Sequence, residues 1–107
     1  MNTVRPLIVL TTTSNAAEAK KIAEALVTDR LAACVQIVPE VLSVYRWKDA
    51  VEQASEVVLI IKTTSSRFES VKSAILELHS YETPEVVGIE IAEAAKEYLD
   101  WLLLSVV

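Results

Sequence analysis

The hydropathy pattern of this 107-residue chain predicts an α+β fold, with strands and helices in the order β-α-β-β-α-β and a helical tail. Three observations predict it. Apolar, β-branched runs stand at Pro6 to Thr13 and Val86 to Ile91. Apolar residues recur at helical spacing between the runs. Two long β-prone runs also face each other across the short turn Lys48-Asp49-Ala50. At roughly 3.3 Å per residue, an arm of about 14 residues spans about 46 Å. A compact domain of this length has a diameter of roughly 34 Å. The hairpin is therefore expected to overhang the domain that carries it, and another copy of the chain is the obvious cover.

Each element has its own local reason. The first strand, Pro6 to Thr13, is an uninterrupted apolar and threonine run. Ser14 or Asn15 caps the first helix, and Glu18 lies three residues after Asn15 in capping-box spacing. That helix runs to about Arg30, with Ala19, Ile22, Ala23, Leu26 and Val27 as its apolar face. Pro39 has no amide hydrogen, so it belongs at a bulge or edge. It divides the first hairpin arm into Ala33 to Val38 and Val41 to Trp47. The second arm contains Glu56 to Thr63. The second helix, about Ser66 to Leu78, carries the stripe Phe68, Val71, Ile75 and Leu78. It ends in His79-Ser80-Tyr81-Glu82-Thr83-Pro84, a turn closed by proline. A last helix from Ala94 to Leu104 carries Tyr98, Leu99, Trp101 and Leu102.

Composition sets the outer bounds. The length fits one domain over residues 1–107, with no linker, repeat or low-complexity tract. A hydrophobic fraction of 52% is high for a small chain, which must cover a large surface with polar groups, so buried contacts between subunits are expected. The net charge of −5 and the absence of a basic cluster argue against a nucleic-acid partner. No apolar run approaches a membrane span, and the start, Met1 to Pro6, lacks a signal-peptide pattern. One cysteine, Cys34, excludes an internal disulfide and suits a reducing, cytoplasmic setting. The single glycine, Gly88, excludes a glycine-rich phosphate loop.

The element order is the split βαβ, ferredoxin-like arrangement, which hosts many functions. A heavy-metal chaperone on it needs a Cys-x-x-Cys pair, and only Cys34 exists. An RNA-recognition module needs aromatics on its central strands, and Pro6 to Thr13 and Glu56 to Thr63 have none. The ordered set Leu31-Ala-Ala-Cys34, Pro39, Ser43-x-Tyr45-x-Trp47, Glu56-Val57, Ile61-Lys-Thr63, Tyr81-Glu-Thr-Pro-Glu85 and Tyr98-Leu-x-Trp101-Leu102 resembles the CutA family of divalent-cation tolerance proteins. The match covers nearly the whole chain.

The resemblance implies a homotrimer related in shape to the PII signalling proteins, with the long hairpin wrapping a neighbouring subunit. Relatives commonly have glycine after Pro39 and another in the hairpin turn, where this chain has Glu40 and Asp49. Asp tolerates the left-handed region better than most residues. Some family members bind copper through a cysteine and a His-His pair, and the matching positions here are Thr11, Leu78 and His79. His79 is thus the one plausible ligand for Cu(II) or another divalent cation, and a weak one, because affinity comes from converging ligands.

The residues expected to matter are Cys34, Tyr45, Trp47, Lys62, Tyr81, Glu82, Pro84 and Glu85, as a cleft or interface set, with His79 beside them. Bland roles are open for each: packing for Cys34 and the aromatics, a helix end for His79, an ion pair for Lys62, and solvation for Glu52, Glu56, Glu82 and Glu85. No nucleophile is placed beside a base, so no enzyme is expected. Three functional readings follow: a trimeric, non-enzymatic scaffold or sensor linked to cation tolerance, a PII-like module binding a small anion in a cleft between subunits near Lys62 and Tyr81, and a structural oligomerisation unit for partner proteins.

Overall fold

A computed structural model describes residues 3–107. Four strands form one sheet: β1 (Pro6–Thr13), β2 (Cys34–Trp47), β3 (Ala50–Thr64) and β4 (Val87–Glu90). They lie in the order β2-β3-β1-β4, and every neighbouring pair is antiparallel. Helices α1 (Ala16–Thr28) and α2 (Phe68–Leu78) follow β1 and β3, and α3 (Lys96–Ser105) ends the chain. This is the expected split βαβ order.

Strand periodicity divides the sheet into two unlike faces. Val9, Thr11 and Thr13 of β1 and Val57, Leu59, Ile61 and Thr63 of β3 are buried. The apolar members of this face pack with Ile22 and Leu26 of α1 and Val71 and Ile75 of α2 to form the core. Each such side chain contributes roughly 1.5–3 kcal/mol by leaving water. Val27, expected on the buried face of α1, is instead exposed. The opposite face carries Ile8, Leu10, Val58, Ile60, Val87 and Ile89 by register. No α1 or α2 side chain can reach it through the sheet; α3 meets its Lys62 end, where Tyr98 contacts Lys62.

Local chemistry explains the element ends. The Asn15 side chain accepts from the Glu18 amide at 2.8 Å, giving the expected cap. The Glu18 carboxylate does not complete a capping box: it accepts from the Ser80 amide and hydroxyl at 3.0 and 2.8 Å, tying α1 to the loop after α2. Arg30, at φ 58°, closes α1 in the left-handed region. A 3-10 turn, Ser65–Arg67, precedes α2, so that helix starts at Phe68, the first residue of its apolar stripe, two residues after the expected Ser66. Gly88 lies under Phe68: a Cβ there would stand 3.1 Å from the ring, so glycine permits the close approach.

The hairpin is the outlying part. The pairing shifts by one residue between Val38 and Val41, which puts Pro39 and Glu40 in a β-bulge. Glu40 is absent from the positive-φ residues, so the bulge does not require the relatives' glycine. Trp47 pairs with Ala50, and Lys48 and Asp49 take φ of 48° and 66°, the signature of a two-residue type I′ turn. The turn is one residue shorter than the sequence suggested, and Asp49 accepts the left-handed geometry. The molecule measures 43 × 25 × 24 Å, and the long axis matches the length of a hairpin arm.

Candidate functional site: an acidic, aromatic cleft at the base of the hairpin

The register places Val41, Ser43, Tyr45 and Trp47 of β2 on the same face as Glu56 of β3, beyond the bulge. The loop after α2 folds over this face. Together, Thr12, Ser43, Tyr45, Trp47, Glu56, Tyr81, Glu82, Thr83 and Glu85 line an open cleft of about 500 Å³.

Its floor is the Tyr81–Glu56 contact. The Tyr81 hydroxyl donates to Glu56 Oε2 at 2.6 Å. Glu56 is only 9% exposed. Burial pushes its pKa up, but hydrogen bonds from Ser43, Tyr81 and Thr12 outweigh that and hold it below the ordinary value, so it is ionised near neutral pH. The Tyr81 phenol is pushed well above its usual range by burial and by the Glu56 carboxylate. It remains a donor at any physiological pH.

His79 positions this loop. Its imidazole has no exposed surface. Nε2 lies 2.6 Å from the Thr12 carbonyl oxygen, which can only accept, so Nε2 carries the proton. Nδ1 accepts from the Tyr81 amide at 3.1 Å. Glu18 Oε1 stands 3.3 Å from the same Nδ1. Burial pushes the Glu18 pKa up, but the Ser80 bonds, with His79 and Lys21 nearby, hold it below its ordinary value.

The copper expectation at His79 does not fit this arrangement: neither ring nitrogen has a free lone pair facing solvent. The Thr11 hydroxyl, at the family's cysteine position, is buried and has no hydrogen-bond partner among the described residues. Leu78 packs against the core. Among the described residues, no group of three or more His, Cys, Asp or Glu side chains is disposed to hold a metal ion.

The structure brings together Tyr45, Trp47, Tyr81, Glu82 and Glu85, as expected, with Pro84 half-buried between the lining residues Thr83 and Glu85. It sets Cys34 and Lys62 apart from them. These two pair across β2 and β3, six residues along β3 from Glu56, or roughly 20 Å. The Lys62 ammonium reaches Gln36 at 3.1 Å and the Tyr98 hydroxyl at 3.4 Å, both neutral, so neither the expected ion pair nor proximity to Tyr81 forms within one chain. Ser43 and Thr83 lie within the family motifs but were not among the expected site residues, and Thr12 lies outside the motifs. Glu56 was expected to be solvated. Its strand parity, shared with Tyr45 and Trp47 across the bulge, was the available signal.

Comparisons with known proteins fit this description. The CutA1 divalent ion tolerance protein family model matches residues 7–105. The divalent-cation tolerance protein CutA of Thermus thermophilus is 47% identical over 95 residues, covering 89% of this chain and 92% of that protein. The chloroplastic protein CutA of Arabidopsis thaliana is 41% identical over 94% of this chain, which spans only 55% of the plant protein. The solved divalent cation tolerance protein of Thermus thermophilus superposes with a TM-score of 0.92 at 45% identity, over 94% of this chain and 97% of that one. With the family model matching nearly the whole chain and the fold shared with a 45%-identical solved structure, the chain belongs to the CutA1 divalent ion tolerance family.

Proposed function

We propose that the protein is a self-associating, non-enzymatic scaffold or sensor of divalent-cation tolerance, built as a homotrimer of the PII-like kind. One observation carries the reading: beyond the bulge, large apolar side chains stand exposed on both faces of the hairpin. Leu42, Val44 and Val51 lie on one face and Tyr45 and Trp47 on the other, with Leu42 and Val51 66% and 65% exposed. The loop after α2 covers Tyr45 and Trp47 only in part, Leu42, Val44 and Val51 are more exposed still, and exposed apolar area of this kind marks an interface. The face of the sheet turned away from α1 and α2, where Val87 and Ile89 are exposed, continues the Tyr45 and Trp47 side. Light scattering should return a mass of about 35 kDa, three times 11.8 kDa. A monomer at tens of micromolar would overturn the reading.

The non-enzymatic part rests on His79, the one side chain suited to general-base work near neutral pH, being engaged on both nitrogens. Any copper uptake by this chain runs through groups other than the His79 ring. Calorimetric titration of Cu(II) into the wild type and His79→Ala should give the same stoichiometry, and loss of binding in the variant would restore the imidazole as ligand. A reducing, cytoplasmic setting is supported by unpaired Cys34, and no described helix is long and apolar enough to cross a membrane. The second reading, a small anion held between subunits near Lys62 and Tyr81, is disfavoured by the three carboxylates that one chain brings to the cleft, which outnumber the single Lys62 a neighbour could add.

A further inference from the structure

The face of the sheet turned away from α1 and α2 is apolar, with very few charges. By register its strand positions include Ile8, Leu10, Val38, Val58, Ile60, Val87 and Ile89. Among the described strand positions on that face, Lys62 is the one cation, and Glu56 and Glu52 are the anions. Glu52 lies out on the exposed hairpin, whereas Glu56 is nearly buried and ionised. Lys62 and Glu56 stand at opposite ends of the apolar stretch, too far apart to meet in one chain. Each is electrostatically incomplete. Glu56 accepts only from neutral hydroxyls, and Lys62 donates only to a neutral amide and a phenol.

When such a face is covered, its charges lose water, and a buried charge without a counter-charge is strongly unfavourable. A second copy meets both needs at once, because it presents a cation where this copy has an anion. We propose that Lys62 of one copy enters the acidic cleft of a neighbouring copy and pairs with Glu56, so that each cleft is completed by a residue from the next subunit. This rests on the self-association proposed above and adds its register. The pairing is directional, Lys62 end to Glu56 end, and a heterologous contact of that kind closes a ring when the rotation fits. It also accounts for three carboxylates and three aromatic rings in a lining that holds no cation, the Lys48 ammonium standing 5.7 Å from the Trp47 ring at the hairpin tip but not among the lining residues: an ammonium is well held between aromatic faces and carboxylates.

The test is a charge swap read by mass photometry over a dilution series, with circular dichroism confirming that each variant is folded. Lys62→Glu should raise the dissociation constant at least about a hundredfold, because it sets two carboxylates against each other in a closing interface. Combining it with Glu56→Lys should recover most of that loss. A gentler pair, Lys62→Met and Glu56→Gln, covers the case in which reversed charges disturb folding. Each single change should weaken assembly about tenfold or more, and the double change should cost no more than either alone, since the two act on one contact. If the wild type assembles but Lys62→Glu assembles equally well, or if the single losses simply add, the pairing is wrong while self-association stands. If the wild type stays monomeric throughout, both readings fall.

Discussion

Strand β3 is one continuous run from Ala50 to Thr64, yet its two halves live in different worlds. Val57, Leu59 and Ile61 are buried against α1 and α2, whereas Val51, in the same strand, is 65% exposed. Nothing in their side-chain chemistry separates the two groups. The difference lies in what the chain supplies to cover them. Two helices lie over the inner half, and the outer half runs past their reach. A hydropathy pattern records that a residue is to be buried; it does not record whose surface does the burying. The inner half is completed by its own chain; under the proposed self-association the outer half is completed by another copy.

This contrast is open to attack at several points. The largest effect is expected inside the core. Leu59→Ala should cost about 2–5 kcal/mol, because it leaves a cavity in a fully packed site. Denaturant unfolding at a fixed concentration measures it, and a cost no larger than that of Val51→Ala in the dissociated chain would break the distinction. Next in size is an outer-half change. Trp47→Asp or Tyr45→Asp should weaken association by roughly 2–4 kcal/mol, a hot-spot loss seen in sedimentation as dissociation at higher concentration. The secondary structure of the dissociated chain should be retained. An assembly that persisted on dilution would remove these aromatics from the interface.

Acidification acts on the loop that joins the two halves. Glu18 and Glu56 are both held below their ordinary value of 4.5 in the folded chain. The unfolded chain therefore binds more protons, so the two groups stabilise the fold above about pH 4.5, and that contribution fades as pH falls through their folded values. Thermal unfolding followed from pH 7 to pH 3 should show the decline, and Glu56→Gln should flatten part of it. An unchanged slope in the variant would mean that the Tyr81 contact is not coupled to stability. The smallest effect is at the turn. Asp49→Gly relieves a residue at φ 66° but frees the unfolded chain, for a net gain of about 0.5 kcal/mol. A loss of stability would show that the Asp49 side chain, and not the turn geometry, holds the tip.

Much of the fold was legible because each signal was local. Pro39 marked the bulge by its missing amide hydrogen, and the Lys48-Asp49 turn was bounded by two runs of matching length. The Asn15 cap was legible too, but the destination of the Glu18 carboxylate was not, since Ser80 is far away in sequence. The candidate site was half legible. Tyr45, Trp47, Tyr81, Glu82 and Glu85 meet as expected because hairpin parity and the loop after α2 bring them to one face. The sequence groups Lys62 with Tyr81 and Glu85 as parts of one cleft between subunits; within one chain it lies six residues along β3 from Glu56, a separation that strand length sets. His79 looked like an available ligand. Only the fold reveals that a carbonyl and an amide occupy its two nitrogens.

The central claim is that the outer hairpin is ordered by a neighbouring copy. Hydrogen exchange read residue by residue along β3, at two protein concentrations spanning dissociation, tests it most directly. The account predicts that amides from about Val51 to Ser55 lose protection on dilution while those from Val57 to Thr63 keep theirs. Protection of the outer half that is independent of concentration would contradict it.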